Sequence, residues 1–368
     1  MSVAWVGSQA VFLSDAIQHA AKLLASSRCP VISFDADVHG TRSVIALAEK
    51  LGAAYDHIRG RELLNEVALF TSHGGMFTTP GEVRRRADLI ILVGDLPASH
   101  HELILSWASA QPDLAGKQSR RWFHLEGGEA VSGGKDAEGE LSRQVKAVIL
   151  SAEAASLGTA VALLRAELAG RRTATPITNL DSLKKALAEA DFPVFVFSGN
   201  TEEPTSLAML QGLVADLNRS KRASSLFLPS DDAAWGAVLT SVWMTGFPPR
   251  TGFPNGAPVY DPERWDIQRM LRDKEADLHL WISPGDEIPA KQGRIPLVAL
   301  AHTASPVAGA AVTISIAAPG IDHDCVAYSS RTGTFRATRA SAPSDRPAIA
   351  GIVRQLAQAL PSGEAESC

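Results

Sequence analysis

Cysteine is scarce in this chain. Three in 368 residues, Cys29, Cys325 and Cys368, with no CxxC spacing, exclude a disulfide framework and any local zinc or redox motif. An iron–sulfur cluster held by this chain alone would need more thiolates. Excess basic charge is missing too. The 35 Lys and Arg are mixed among 40 Asp and Glu, for a net charge of −5, so the basic stripe that nucleic-acid binding requires is absent. No window approaches the ~18 uninterrupted apolar residues of a membrane span. The opening MSVAWVGSQAVFLSD has no basic region ahead of an apolar stretch, and the cytoplasm is the expected compartment. No GxGxxG follows a strand, no GxxxxGK[ST] phosphate loop occurs, and no GxSxG elbow appears.

A hydrophobic share of 45% excludes a disordered chain and, over this length, predicts about two domains with cores of their own. Short β-branched runs alternate with segments of helical period, the pattern of an α/β protein with parallel strands. Strands are expected at 3–6, 30–34, 89–93, 122–125, 193–199, 278–282, 296–300 and 312–316. Helices are expected at 14–26 with Ser14 as cap, 41–51 closed by Gly52, 102–108, 182–190, 202–217 and 344–360. The Gly-rich stretch 127–140 reads as a flexible surface loop. Arg84-Arg85-Arg86 reads as a solvated helix face or an interface patch. TGFPPRTGFPNGAPVYDPERW, residues 245–265, contains five prolines and must run as an extended segment. Its two Phe, one Tyr and one Trp either dock a partner or pack under the loop against its own domain.

Three places could gather ligands. Asp35, Asp37 and His39 alternate to one side at the end of a strand, the edge where parallel sheets bind ligands, although Asp there also caps a helix. His100 and His101 are neighbours that point about 100° apart on a helix. Asp322-His323-Asp324 lies in a loop. None forms a convincing metal or acid/base constellation, and the residues alone lead to a two-lobed α/β protein without an evident active site.

Four segments in order change that reading: TTPGEVRRRADLIILVGDLP (78–97), the Pro-rich loop, DLHLWISPGDEIP (277–289) and the run from Ile295 to Arg339. Together they resemble the B subunit of formylmethanofuran dehydrogenase, in the molybdopterin oxidoreductase family. The resemblance implies a two-lobed fold of parallel or mixed sheets flanked by helices. One lobe would be made of residues 1–40 with 176–368 and an inserted lobe of 41–175.

The chain departs from that family where cofactors would bind. It lacks the cysteine-rich N-terminal iron–sulfur segment, and residues 55–75 hold no cysteine for molybdenum or tungsten. The family's Gly-x-Asn-Pro turn with a later His-Pro-Arg is here Gly94, Asp95, Leu96 and Pro97, then His101, Glu102 and Leu103. Leu96 removes hydrogen-bonding groups, Leu103 replaces a bidentate phosphate contact, and Asp95 and Glu102 add negative charge.

A B-type chain of this kind is similar to that of the bacterial formyltransferase/hydrolase complex of methylotrophs. The resemblance then implies a non-catalytic structural subunit in formaldehyde oxidation to formate. Its partners would be the A, C and D subunits, among them a zinc amidohydrolase and a formyltransferase that loads a methanofuran analogue from tetrahydromethanopterin. No cofactor, metal or catalytic residue is expected in this chain. Gly94, Asp95, Leu96, Pro97 and His101 would be a degenerate remnant of the cofactor turn. Two rivals stand beside this reading. One is a pterin oxidoreductase whose cluster and metal ligands come from another chain. The other is a small-molecule-binding protein using Asp35, Asp37 and His39.

Overall fold

The computed structural model describes residues 4–114, 119–127, 135–153, 155–199, 204–289 and 293–361. Cys368, Val3 and the centre of the expected loop at 127–140 lie outside them. The chain folds as two α/β units. The first takes the segments up to Arg61, Asp231–Tyr328 and from Phe335 onward; the second takes Glu62–Ser230 with Ser329–Thr334.

In the first unit a nine-stranded sheet runs in the order Val259–Tyr260, Thr251–Gly252, Ala54–His57, Pro30–Phe34, Leu278–Ser283, Leu297–Ala301, Val312–Ser315, Ala4–Val6 and Gln9–Ala10. The five central strands are parallel and both edges are antiparallel. Their buried Ile32, Phe34, Leu280, Ile282, Leu300 and Ile314 read as apolar runs because helices Leu13–Ser26, Val38–Leu51 and Ile349–Ala359 pack into the same core. The second unit holds a wholly parallel sheet in the order Val148–Ser151, Arg121–Glu126, Leu89–Val93, Pro193–Phe197 and Ser224–Phe227. Its core closes around Ile90, Leu92, Trp107, Val194 and Val196.

The junctions differ from the expected 40 and 175. Strand Ala54–His57 pairs with Pro30–Phe34 and so keeps residues up to 61 in the first unit, while Pro193–Phe197 pairs with Leu89–Val93 and carries the second unit to 230. Local starts shift as well. The first helix begins at Leu13 behind Phe12, without a side-chain cap from Ser14. The second begins at Val38 rather than Thr41, because Asp37 Oδ1 accepts the Gly40 N–H at 2.8 Å. Residues 135–140, expected in a loop, open the helix Lys135–Gln144. The last helix starts only at Ile349, after Pro343 and Pro347.

The Pro-rich segment is extended, and two of its four aromatics pack under it against its own unit. Thr251–Gly252 and Val259–Tyr260 add two edge strands to the sheet. Phe253 and Trp265 are buried in their own unit, Trp265 over Gly252, where a Cβ would lie 2.8 Å from the indole. Phe247 stays partly exposed and stacks on Tyr260.

Arg250 holds this segment in place. It is 4% exposed, adopts φ +66°, and reaches Asp56 Oδ2 and Asp266 Oδ2, each at 3.2 Å. Its Nη1 donates to the Pro262 carbonyl at 2.6 Å. Burial pushes the Asp56 carboxyl up to about 7. Desolvation is the main cause; Arg250 opposes it and Asp266 adds to it.

A carboxyl whose folded pKa exceeds its unfolded value of about 3.8 binds a proton in the folded state that the unfolded state has released. Stability therefore falls as pH rises from about 4 to about 7, by up to ~4 kcal/mol for this group. Asp56→Asn should flatten that slope and leave the variant more stable than the parent at pH 8 while nearly equal to it at pH 4. Urea unfolding at the two pH values checks this, and a parent no less stable at pH 8 than at pH 4 would sink it.

Candidate functional site

In an open parallel sheet, ligands bind outside the carboxyl ends of the strands where the strand order reverses. Each unit has one such point. In the first it lies between Pro30–Phe34 and Leu278–Ser283, and in the second between Leu89–Val93 and Pro193–Phe197.

At the first point Asp35 leaves the strand with its N–H on the Ile282 carbonyl at 2.9 Å. Its carboxylate faces His57 Nε2 at 3.5 Å, beyond a hydrogen bond. The buried His57 accepts the Arg59 N–H on Nδ1 at 3.1 Å, which leaves the proton on Nε2 directed toward Asp35. Arg59 pairs with Asp231 and with Glu287, the latter at 3.1 Å, and Ser283 Oγ donates to Glu287 at 3.0 Å. Desolvation works against ionised Glu287, but the bonds from Arg59 and Ser283 hold it below the usual carboxylate range. Asp37 is occupied as a helix cap, and His39 sits in the first turn of that helix. The expected Asp35, Asp37 and His39 set is therefore not assembled: Asp35 is turned to His57 instead.

At the second point the remnant turn is closed by the protein's own bonds. Gly94 turns with φ +63°. Leu96 is buried in the core beside Leu103, so the side chain standing for the family's Asn supplies packing. His101 Nε2 donates to the Leu96 carbonyl at 3.1 Å, and His100 Nε2 to the Pro229 carbonyl at 2.7 Å. Buried His124 donates from Nε2 to the Gly94 carbonyl at 3.0 Å, while its Nδ1 lies 2.7 Å from Ser142 Oγ. Glu126, 3.2 Å from the same ring, is held below its ordinary range chiefly by that imidazole. Beside the turn, Ser198 Oγ is buried without a hydrogen-bond partner among the described residues. One hydroxyl is far short of the several donors a pyrophosphate needs.

Residues 55–75, where the family resemblance implies a metal-ligating cysteine, carry aromatics at their end. The helix Gly60–Ala68 continues as a π-turn, Leu69–His73, and Phe70 stacks on Phe77 with centroids 4.9 Å apart and meets Phe227 edge-on at 5.3 Å. Cys29 precedes strand Pro30–Phe34, Cys325 opens strand Cys325–Ser329 of a separate two-stranded sheet, and burial pushes both thiols up, away from the thiolate form a metal requires. Among the described residues no three of His, Cys, Asp or Glu converge to hold a metal. Asp322 instead accepts the Ala318 N–H at 2.8 Å and faces His302 at 3.1 Å. Among the described residues, the donor set at the Gly94 turn does not fit a pterin dinucleotide. Arg84, Arg85 and Arg86 form the last turn of helix Pro80–Arg86, where Arg85 pairs with Asp113 and Arg86 with Glu82.

No family model matches the chain. Over 97% of its length it is 32% identical to the B subunit of the formyltransferase/hydrolase complex Fhc of Methylorubrum extorquens, covering 98% of that protein. The chain belongs to the Fhc B-subunit family. The crystal structure of the formyltransferase/hydrolase complex FhcABCD from M. extorquens, in complex with methylofuran, contains a chain that superposes with a TM-score of 0.84 over 96% of this chain and 98% of that one, again at 32% identity. A more distant relative is the B subunit of the tungsten-containing formylmethanofuran dehydrogenase 2 of Methanocaldococcus jannaschii, 24% identical over 85% of this chain and 75% of the relative. The Fhc B-subunit fold thus extends across both units of this chain. Among the described residues, no helix is long and apolar enough to cross a membrane.

Sequence reasoning passed over His57, Arg59, Asp231, Glu287 and His124. The strand Ala54–His57 ends in two charged or polar residues and reads as loop, and the carboxylates that Arg59 meets lie more than 170 residues away. The available signal was a buried-looking Asp-His pair followed by Arg and Gly in YDHIRG.

The internal closure of the second point has a measurable consequence. Leu96→Asn sets an amide into the apolar wall and should cost ~1–3 kcal/mol, whereas His101→Ala loses one hydrogen bond and should cost ~1 kcal/mol. Urea midpoints check the order; a stabilising Leu96→Asn would show that the turn still receives a polar ligand.

Proposed function

We propose that this chain is a cytoplasmic, non-catalytic structural subunit that holds the A, C and D subunits of a formyltransferase/hydrolase complex in register. In that complex a formyl group passes from tetrahydromethanopterin to a methanofuran analogue and is hydrolysed to formate, with the carrier and a catalytic zinc held in the partner chains. The observation that carries the reading is the turn after Val93: Leu96 is part of a core, and the imidazoles of His101 and His124 are spent on backbone carbonyls of the same turn. A group that acts on a substrate needs a proton or a charge to offer, and these are already committed. Family membership supports the reading from a second direction. Gly94, Asp95, Leu96, Pro97 and His101 then form a structural turn rather than a cofactor site, and no molybdenum, tungsten or iron is carried by this chain.

Two measurements on the tagged, assembled complex test it. His101→Ala should leave formyl transfer and hydrolysis per assembled complex within about twofold of the parent, where loss of a general acid or base would cost ~10²-fold or more. Elemental analysis of the purified chain should find no stoichiometric tungsten, molybdenum or iron. A large activity loss with normal assembly, or about one such metal per chain, would favour a pterin oxidoreductase with ligands lent by another chain.

A further inference from the structure

We infer that the C-terminal end of helix Asp232–Thr245, together with the Pro-rich loop that follows it, is a docking face for a different protein chain, one presenting an apolar surface flanked by carboxylates. The inference rests on the scaffold reading and adds to it the face that is used.

Val242, Trp243, Met244, Phe247 and Val259 are all exposed, Trp243 by 64%, and lie within eighteen residues of one another in a single unit. Trp243 meets the Phe335 ring at 4.7 Å, and Phe247 stacks on Tyr260 with planes 8° apart, so each exposed aromatic is part of a ring pair rather than a lone side chain. From Ala233 to Tyr260 the only charged residue is Arg250, and its side chain is buried. Surface depleted of charge and rich in Trp, Tyr, Phe and Met has the composition of an interface core, not of solvated surface. The face is also preorganised. Arg250 ties the loop to Asp56, Asp266 and the Pro262 carbonyl, which lowers the ordering cost of binding.

The neighbouring charges select the occupant. Strand Thr334–Thr338, which carries Phe335, also carries exposed Arg336, and exposed Arg339 follows it; neither pairs with a carboxylate among the described residues. A second copy docked about a two-fold axis would bring the same uncharged face and the same arginines against each other. A different chain with Asp or Glu beside its apolar contact satisfies both the cations and the aromatics.

The test uses the assembled complex, purified through a tag on this chain, with partners identified by mass spectrometry. Trp243→Glu combined with Phe247→Glu should reduce co-purified partner subunits per tagged chain at least tenfold, with circular dichroism and unfolding of the chain unchanged. Phe12→Glu, at an isolated exposed side chain, should leave assembly intact. Arg336→Glu with Arg339→Glu, both on the surface, provides an arm independent of the apolar substitutions and should weaken assembly most at low salt. A folded double-Glu variant that still assembles, or arginine reversals without effect at any salt, overturns the docking face while leaving the scaffold reading in place. If the parent chain brings down no partner, the scaffold reading itself fails. If sizing shows the double-Glu change dissolving a homodimer while partner assembly persists, the occupant is a second copy and the assignment is wrong.

Discussion

One buried guanidinium, Arg250, sets the geometry of the face-bearing unit. Removing a cation and two carboxylates from water costs several kcal/mol per ion, so Asp56–Arg250–Asp266 is a poor source of net stability. What it supplies is a single arrangement. Arg250 bridges the strand Ala54–His57 to the helix Ile267–Arg272, whose cap is Asp266, and in doing so accepts a left-handed backbone that most side chains avoid. The five prolines of the loop around it exclude helix, and the ion network works together with the pairing of Thr251–Gly252 and the backbone bonds from Arg250 and Phe253 to the Tyr55 and Ala53 carbonyls to hold one path.

The same substitution of internal bonds for something external appears at both sheet switch points. The carboxyl ends of parallel strands expose backbone and side-chain groups that must be satisfied by ligand, water or protein. In the first unit Arg59, Asp231, Glu287 and Ser283 satisfy one another. In the second the imidazoles of His101 and His124 take the carbonyls of the Gly94 turn, and Leu96 fills the wall. At both points these groups bond to one another and to the protein backbone.

Legibility in the sequence followed the range of the interactions. Strands Pro30–Phe34, Leu89–Val93 and Val312–Ser315 were visible as apolar runs because burial on both faces leaves no other pattern. The family was legible from four ordered segments. The unit boundaries were not. They depend on Ala54–His57 and Ser224–Phe227, four-residue strands whose Asp, His and Ser interrupt the apolar run that marks the longer strands. Asp37 was recognisable as a cap, but the helix it starts begins at Val38 because the side chain reaches only as far as Gly40. The fate of the loop aromatics could not be read either, since burial of Trp265 and exposure of Trp243 depend on the Gly252 gap and on Phe335, 92 residues beyond Trp243.

These features bear on how a subunit can give up chemistry and keep its fold. A catalytic crevice holds polar groups in arrangements that are costly unless a ligand completes them. On the scaffold reading, Leu at position 96 and the Arg59 web are the kind of substitution that completes a crevice internally once its ligand is dispensable. The outer face is under the opposite constraint. Trp243, Met244 and Phe247 exposed on a lone chain favour aggregation, and a polar replacement at any of them would improve solubility unless something covers them. On the scaffold reading, the exposed Trp243, Met244 and Phe247 are kept by the chain that covers them, a constraint on the outer face rather than at the strand ends.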